Sequence, residues 1–278
     1  MKNGYKLVGL VVSLMILGIV LVGVGIVNGG KTNIDVSNMF DRQDNGDDES
    51  GLTRTEILEA YDSLELKADV AQIEIVKGDK YSLSISGIKK KDISYKVQNH
   101  KLLITQKSHR RLSIGFKTLE NITITIPENV EIQDFQMECG IGDVIISDVS
   151  SNNMSLKVGV GTVKINNVSA DTCKIRGGVG EVTADTFTAN KLDVEAGVGE
   201  IDMQGDFKGD INLRGGIGEI VLKASGQKSD FNYEFEKGIG EMKLNGESVG
   251  NIKNSENDAS KTITAKTGIG SIDVYIEE

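Results

Sequence analysis

A chain of 278 residues that is 38% hydrophobic and 26% charged can bury a core of its own and is not disordered by composition. Its 33 glycines, single proline, missing tryptophan and two histidines favour many short strands joined by tight turns and leave little material for histidine catalysis. A net charge of -10 argues against a nucleic-acid partner, whose phosphates need clustered Lys and Arg, and two cysteines supply neither a disulfide framework nor a four-ligand zinc site.

From Leu7 to Val27 the chain runs 21 residues without a charge, which as a helix spans roughly 31 Å, the thickness of bilayer hydrocarbon. That is longer than the apolar core of a secretory signal peptide, about 7 to 15 residues, and no small-residue cleavage site or lipoprotein cysteine follows it. Lys2 and Lys6 precede the run, whereas Asp41, Asp44, Asp47, Asp48 and Glu49 follow it. The positive-inside rule therefore puts the N-terminus in the cytoplasm and the rest outside. The expected layout is a cytoplasmic tip and transmembrane helix over 1–29, an acidic linker over 30–62 with a helical turn near Glu56, and a folded domain over 63–278.

An internal repeat organises that domain. The pattern Gly, Ile or Val, Gly, any residue, then Val, Ile or Met begins at Gly140, Gly159, Gly178, Gly197, Gly216, Gly238 and Gly268. The first five copies are 19 residues apart and the last two intervals stretch to 22 and 30. Counting the first Gly as position one, apolar residues recur at position two (Ile141, Val160, Val179, Val198, Ile217), position five (Val144, Val163, Val182, Ile201, Ile220) and position seven (Ile146, Ile165, Ala184, Met203, Leu222). Another alternating pair occupies fifteen and seventeen, as in Met154 with Leu156 and Leu192 with Val194. Each unit reads as two short strands that cannot bury an apolar face alone, so the units must stack at about 4.8 Å with like residues over like. The expected fold is all-β: a parallel β-helix-like solenoid of about 19-residue repeats, with all of these positions pointing inward. The frame extends back to Asp69–Gly87, with Val70, Ile73, Ile75, Leu83 and Ile85 inward and with Asp69 and Ala71 in place of the glycines.

The glycines suit a coil corner, where backbone approaches backbone or φ turns positive. A nucleotide loop is the competing idea, but here each Gly-x-Gly leads into a strand rather than a helix.

With its iterated Gly-Val-Gly-Glu-Val units, the entry segment Leu64-Glu65-Leu66 through Ile73-Glu74-Ile75, and the strand Ile122-Thr-Ile-Thr-Ile-Pro127, the sequence resembles the bacterial putative-adhesin family of toastrack-type β-strand repeat proteins. The likeness covers residues 64–278, and the Gly-rich apolar run looks like the anchors of Gram-positive members. The resemblance implies a surface or envelope role, in some members tied to membrane signalling or envelope stress, and it brings no catalytic or ligand residue with it.

The fourth position is acidic in most units, at Asp143, Glu181, Glu200, Glu219 and Glu241, with Thr162 and Ser271 as exceptions. Stacked carboxylates could attract calcium, but the Asp-bearing nine-residue calcium repeat is absent. Like charges one rung apart in water cost only roughly 1 kcal/mol, so a solvated ladder, offset in part by Arg176 or Arg214, is the favoured reading, with no metal or cofactor. A polysaccharide hydrolase or lyase is the enzyme alternative, yet it needs two carboxylates in distinct environments. Residues 77–117 hold eleven Lys or Arg against Asp79 and Asp92, while 128–278 carry 26 acids against 14 bases. Lys89, Lys90, Lys91, Arg110 and Arg111 are thus the candidate surface for an anionic lipid or cell-wall polymer. His100 and His109 lie in the same region with no catalytic arrangement about them. The reading from sequence is a single-pass membrane protein whose extracellular solenoid is a non-catalytic adhesion, interaction or envelope-sensing module, with an envelope-signalling membrane protein as a further partner class.

Overall fold

The alternation of β-branched and polar residues is realised as strand in nearly every unit of the computed structural model, which describes residues 53–107, 120–255 and 257–277. The run Leu7–Val27 lies outside them. Among the described residues no helix is long and apolar enough to cross a membrane.

Sixteen strands join in one sheet that coils round a common core. They are β1 (Arg54–Ile57), β2 (Ser63–Val70), β3 (Gln72–Gly78), β4 (Ser82–Ser86), β5 (Ile93–Gln98), β6 (Lys101–Gln106), β7 (Asn121–Pro127), β8 (Glu131–Ile141) and β9 (Val144–Ser147). There follow β10 (Ser150–Phe207), β11 (Ile211–Ser225), β12 (Phe231–Ile239), β13 (Met242–Leu244), β14 (Glu247–Ser248), β15 (Ile252–Ser255) and β16 (Lys261–Glu277). The 58 residues of β10 pass through successive coils without a break. Parallel pairing holds the 19-residue frame: Met154 lies beside Phe135, Val163 beside Val144, and Leu192 beside Ile211.

The order of coils along the axis departs from chain order at both ends. Leu64 of β2 pairs with Leu102 of β6 on one side and with Phe135 of β8 on the other, so the first coil lies between the second and the third along the axis. At the far end Ile263 of β16 pairs with Ile211 of β11 and with Tyr233 of β12. The C-terminal strand is therefore inserted between two coils made earlier. Outside the parallel stack lie antiparallel strands: β4 on β7, β1 on β4, β5 on β6, β15 on β12 and β14 on β13. They cover the open hydrogen-bonding edges that a bare solenoid would present to other chains.

The core is a set of columns. Val144, Ile146, Met154, Leu156, Val163, Ile165, Leu192 and Val194 are all buried, and a fully buried side chain of this size stabilises by about 1.5–3 kcal/mol. A further inward column at the opposite corner, Val149, Val168, Phe187 and Phe207, is not evident from the glycine frame.

Three expectations need correction. Position two does not face inward: Val70, Ile141, Val160, Val179, Val198 and Ile217 are exposed. The backbone turns at the glycine corner, so the phase set by Met154, Leu156 and Val158 is lost at Val160 and regained at Val163. Leu83 and Ile85 are buried, but in the antiparallel strand β4 rather than in a repeat of the frame starting at Asp69. The region of Glu56 is strand β1, held against β4 through pairs such as Glu56 with Leu83, and not a helical turn.

Candidate functional site

The Gly-x-Gly corners form one long edge of the solenoid. At the first glycine the coils approach closely: a Cβ added to Gly159 would lie 2.4 Å from the Gly140 carbonyl oxygen. At the second, Gly161 has φ +142° and a Cβ there would lie 2.0 Å from the Gly142 oxygen. Backbone thus packs on backbone along two bare columns, and the residue between them stands out alone. The eight residues Val70, Ile141, Val160, Val179, Val198, Ile217, Ile269 and Ile239 follow one another along the axis and are between 38% and 73% exposed. Their order is fixed by the pairs Val70–Ile141, Ile141–Val160, Val198–Ile217, Ile217–Ile269 and Ile269–Ile239.

On one flank of this row stands the acidic column. Asp143 accepts a hydrogen bond from the Thr162 amide at 3.0 Å, tying one rung to the next. The Glu200 carboxyl is pushed up, first by desolvation and then by the neighbouring charges of Glu181, Glu219 and Asp202. On the other flank Lys157 bonds Glu138 at 2.6 Å. Arg176 pairs with Glu195 and, at 3.5 Å, with Asp193, which Arg214 also reaches at 3.2 Å. The two arginines therefore offset Asp193 and Glu195 and not the fourth-position acids. Between them lies a shallow hollow of about 320 Å³ floored by Gly177, Ala196, Gly197, Gly215 and Gly216. Lys266 bonds Glu234 at 2.9 Å and Glu236 at 3.4 Å, and these partners raise its pKa.

Lys90 and Lys91 are exposed in a single 3-10 turn, Lys90–Asp92, that Lys89 enters in extended conformation. The turn sits between β4 and β5, in the covering layer at the N-terminal end. Arg110 and Arg111, like His109, lie outside the described residues. His100 is exposed in the turn joining β5 to β6, where its carbonyl accepts the amides of Asp62 and Ser63. Among the described residues no group of three or more His, Cys, Asp or Glu is disposed to hold a metal ion. Cys139 and Cys173 are buried free thiols; burial raises both, Cys173 to about 12. The sequence frame locates the acidic column and the Val and Ile row, but the outward turn of that row needed the phase break at the corner, which apolarity alone does not reveal.

A coiled all-β sheet with stacked Gly-x-Gly corners and covered ends defines a toastrack-type solenoid. The chain belongs to the Toastrack DUF4097 family, which matches residues 61–275. Among solved structures it is similar to a putative cell adhesion protein from Clostridium sporogenes, at 15% identity and TM-score 0.36, covering 81% of this chain and 99% of that one. It is also similar to a putative adhesin from Bacteroides fragilis, at 18% identity and TM-score 0.40, covering 80% and 96%. A putative lipid binding protein from Parabacteroides distasonis matches at 15% identity and TM-score 0.32, covering 80% and 96%. No curated protein matches the chain.

Proposed function

We propose that this toastrack solenoid is a non-catalytic adhesion or interaction module of the cell envelope, held outside the cytoplasm by residues Leu7–Val27 as a single membrane-spanning helix. The observation that carries the reading is the repetition of the exposed surface. The row from Val70 to Ile239 repeats a β-branched side chain from rung to rung, and Glu181, Glu200 and Glu219 repeat a carboxylate beside it, so the surface offers rows of equivalent contacts. A glycoside-cleaving site needs two carboxylates flanking the bond to be broken, whereas Glu181, Glu200 and Glu219 stand side by side at one repeated surface position. Such rows suit an extended polymer or another repetitive surface.

The anchor rests on the length of the apolar run and on the lysines before it and the acids after it. Lys89, Lys90 and Lys91 in the N-terminal cover, with Arg110 and Arg111, are the candidate contact for an anionic headgroup or wall polymer, each charge contributing roughly 1 kcal/mol near such a surface. Full-length protein in proteoliposomes, presented to purified anionic wall polymer, tests the reading. Retention without product release is the expected result, and release of shortened polymer would transfer the protein to the enzyme class.

A further inference from the structure

The strands by which the chain enters and leaves the coiled stack lie one place inside it, not at its ends. At the N-terminal end β2 has β6 on its outer side and β8 on its inner side. At the far end β16 has β12 and β13 outside it and β11 inside. A solenoid whose coils followed chain order would expose its first and last strands with one neighbour each, and tension along the chain would strip them a residue at a time. We propose that this solenoid is a load-bearing module in which β2 and β16 are the strands that take tension arriving along the chain.

Both strands are fixed on two sides at the point where the load reaches them. At the start of β2 the amides of Asp62 and Ser63 donate to the His100 carbonyl at 2.9 and 3.2 Å, and the Asp62 carbonyl accepts the Gln133 amide at 2.7 Å. His100 immediately precedes β6 and Gln133 belongs to β8, so this entry is joined to both neighbours. At the end of β16 the Glu277 carbonyl accepts the amide of Gly226, which follows β11, at 2.9 Å. On the other side the Asn245 side chain accepts the Ile276 amide at 2.8 Å and donates to the Ile276 carbonyl at 3.1 Å. Asn245 lies in the turn from β13 to β14, so its side chain continues along the edge of β16 where the β13 backbone turns away.

Strands cross the solenoid axis and their hydrogen bonds run along it. Asp62 and Glu277 are separated along that axis by β8, the turns of β10, and β11, so tension between them pulls along the bonds. An outermost strand yields by bending away from its one neighbour, and its bonds are loaded one after another. β2 cannot bend outward, because β6 and β5 back it, as β7 and β4 back β3 on the adjoining face. Its bonds to β8 and the burial of Leu64, Leu66, Ile73 and Ile75 must therefore give together. β16, backed by β12 and β13, holds Ile263, Ile272 and Val274 in the same way. β1 is the exception: it lies outermost with β4 as its partner and comes away first, giving slack before the load reaches β2. The inference rests on strand order alone, so loss of polymer binding would refute the adhesion reading and leave this one standing.

Single-molecule pulling of the full-length protein in detergent micelles tests it, with handles on Thr53→Cys and Glu277→Cys in one version and on Lys96→Cys and Gly250→Cys in the other. All four positions are exposed, whereas Cys139 and Cys173 are buried and stay unlabelled. The first pair loads β2 and β16; the second loads β5 and β14, outermost strands with one neighbour each. Circular dichroism and urea midpoints matching the parent establish that both versions are folded before they are pulled. From Thr53 and Glu277 the expected record is a first release of at most about 30 Å, the reach of the residues up to Asp62, followed by one cooperative rupture. From Lys96 and Gly250 the coils should strip in steps, and the lifetime at a fixed force should be at least about tenfold shorter. Equal lifetimes from the two pairs, or stripping from Thr53 and Glu277 in steps of one 19-residue coil, would overturn the proposal.

Discussion

The side-chain oxygen of Gln106 accepts the backbone amides of Asp69 at 2.9 Å and Val70 at 3.3 Å. Gln106 is buried, sits at the end of β6 opposite Ala68, and passes its own amide hydrogen to Glu120 at 2.6 Å. In later coils a backbone carbonyl lies against the corner; at this first corner a glutamine side chain meets the amides instead. Gln106→Leu keeps the volume but leaves those amides without their acceptor. An unsatisfied, part-buried donor costs about 1–3 kcal/mol, so a loss of about 2 kcal/mol in urea unfolding is expected. An unchanged midpoint would show that water replaces the side chain freely.

The two glycine columns should differ in their tolerance of a side chain. Gly199 has φ +141° and a Cβ there would lie 1.6 Å from the Gly180 oxygen, whereas Gly197 meets the Gly178 oxygen at 2.5 Å without a positive φ. Strain in the first case adds about 1–3 kcal/mol to the clash. The expected order of destabilisation is Gly199→Val, then Gly197→Val, each exceeding roughly 4 kcal/mol, whereas Glu200→Gln is not expected to destabilise. Thermal melting of the three variants checks the order, and equal midpoints would refute the corner geometry.

Two carboxylates respond to pH with opposite sign. Hydrogen bonds from Lys101 at 2.6 Å and Lys67 at 2.7 Å hold Glu65 down at about 2. Its contribution to stability is thus complete above the ordinary carboxylate pKa and is lost as pH falls from there towards 2. Glu200 is raised by desolvation and by its neighbours, so its ionised form opposes folding at neutral pH and that opposition is relieved as pH falls through its pKa. Glu65→Gln should therefore be less stable than the parent at pH 7 and equal to it near pH 2. Glu200→Gln should be slightly more stable at pH 7, with the advantage fading in acid. Urea midpoints from pH 2 to pH 7 give both signs, and a Glu200→Gln variant weaker than the parent at pH 7 would contradict the ladder repulsion.

Much of this architecture is legible in the spacing. Residues 19 apart, such as Leu192 and Ile211, do pair, because a repeat with apolar positions in fixed phase can be buried only by stacking on itself. The exposed row was not legible from composition, since Val and Ile read as core wherever they occur. Alternation from Met154, Leu156 and Val158 also points Val160 inward, until the paired glycines turn the chain. Nor does spacing reveal coil order. The longer intervals before Gly238 and Gly268 mark extra residues, but pairing of Ile263 with both Ile211 and Tyr233 depends on a long-range return that no local signal encodes. The glycines do record it in the structure: the Cβ of Gly268 would face Gly216, and that of Gly238 would face Gly268.

That return makes β16 the strand on which the C-terminal end depends. It buries Ile263, Ala265, Ile272, Val274 and Ile276 and supplies backbone partners to β11 on one side and to β12 and β13 on the other. Ending the chain before Lys261 removes four large buried side chains, roughly 6–12 kcal/mol at 1.5–3 each, against a total stability of about 5–15 kcal/mol for an ordinary domain. It also separates β11 from the coil beyond it and leaves both edges unpaired. A deletion of similar length from the middle should behave differently. Removing 169–187 takes out one whole 19-residue unit, joins residue 168 to 188 in phase, and lets the flanking coils stack on each other. The expected outcome is a folded, cooperatively melting chain for the internal deletion and an aggregated or unfolded one for the C-terminal truncation. Size-exclusion chromatography and urea unfolding of the two deletions distinguish them, and a truncated chain that melts like the parent would overturn the inserted position of β16.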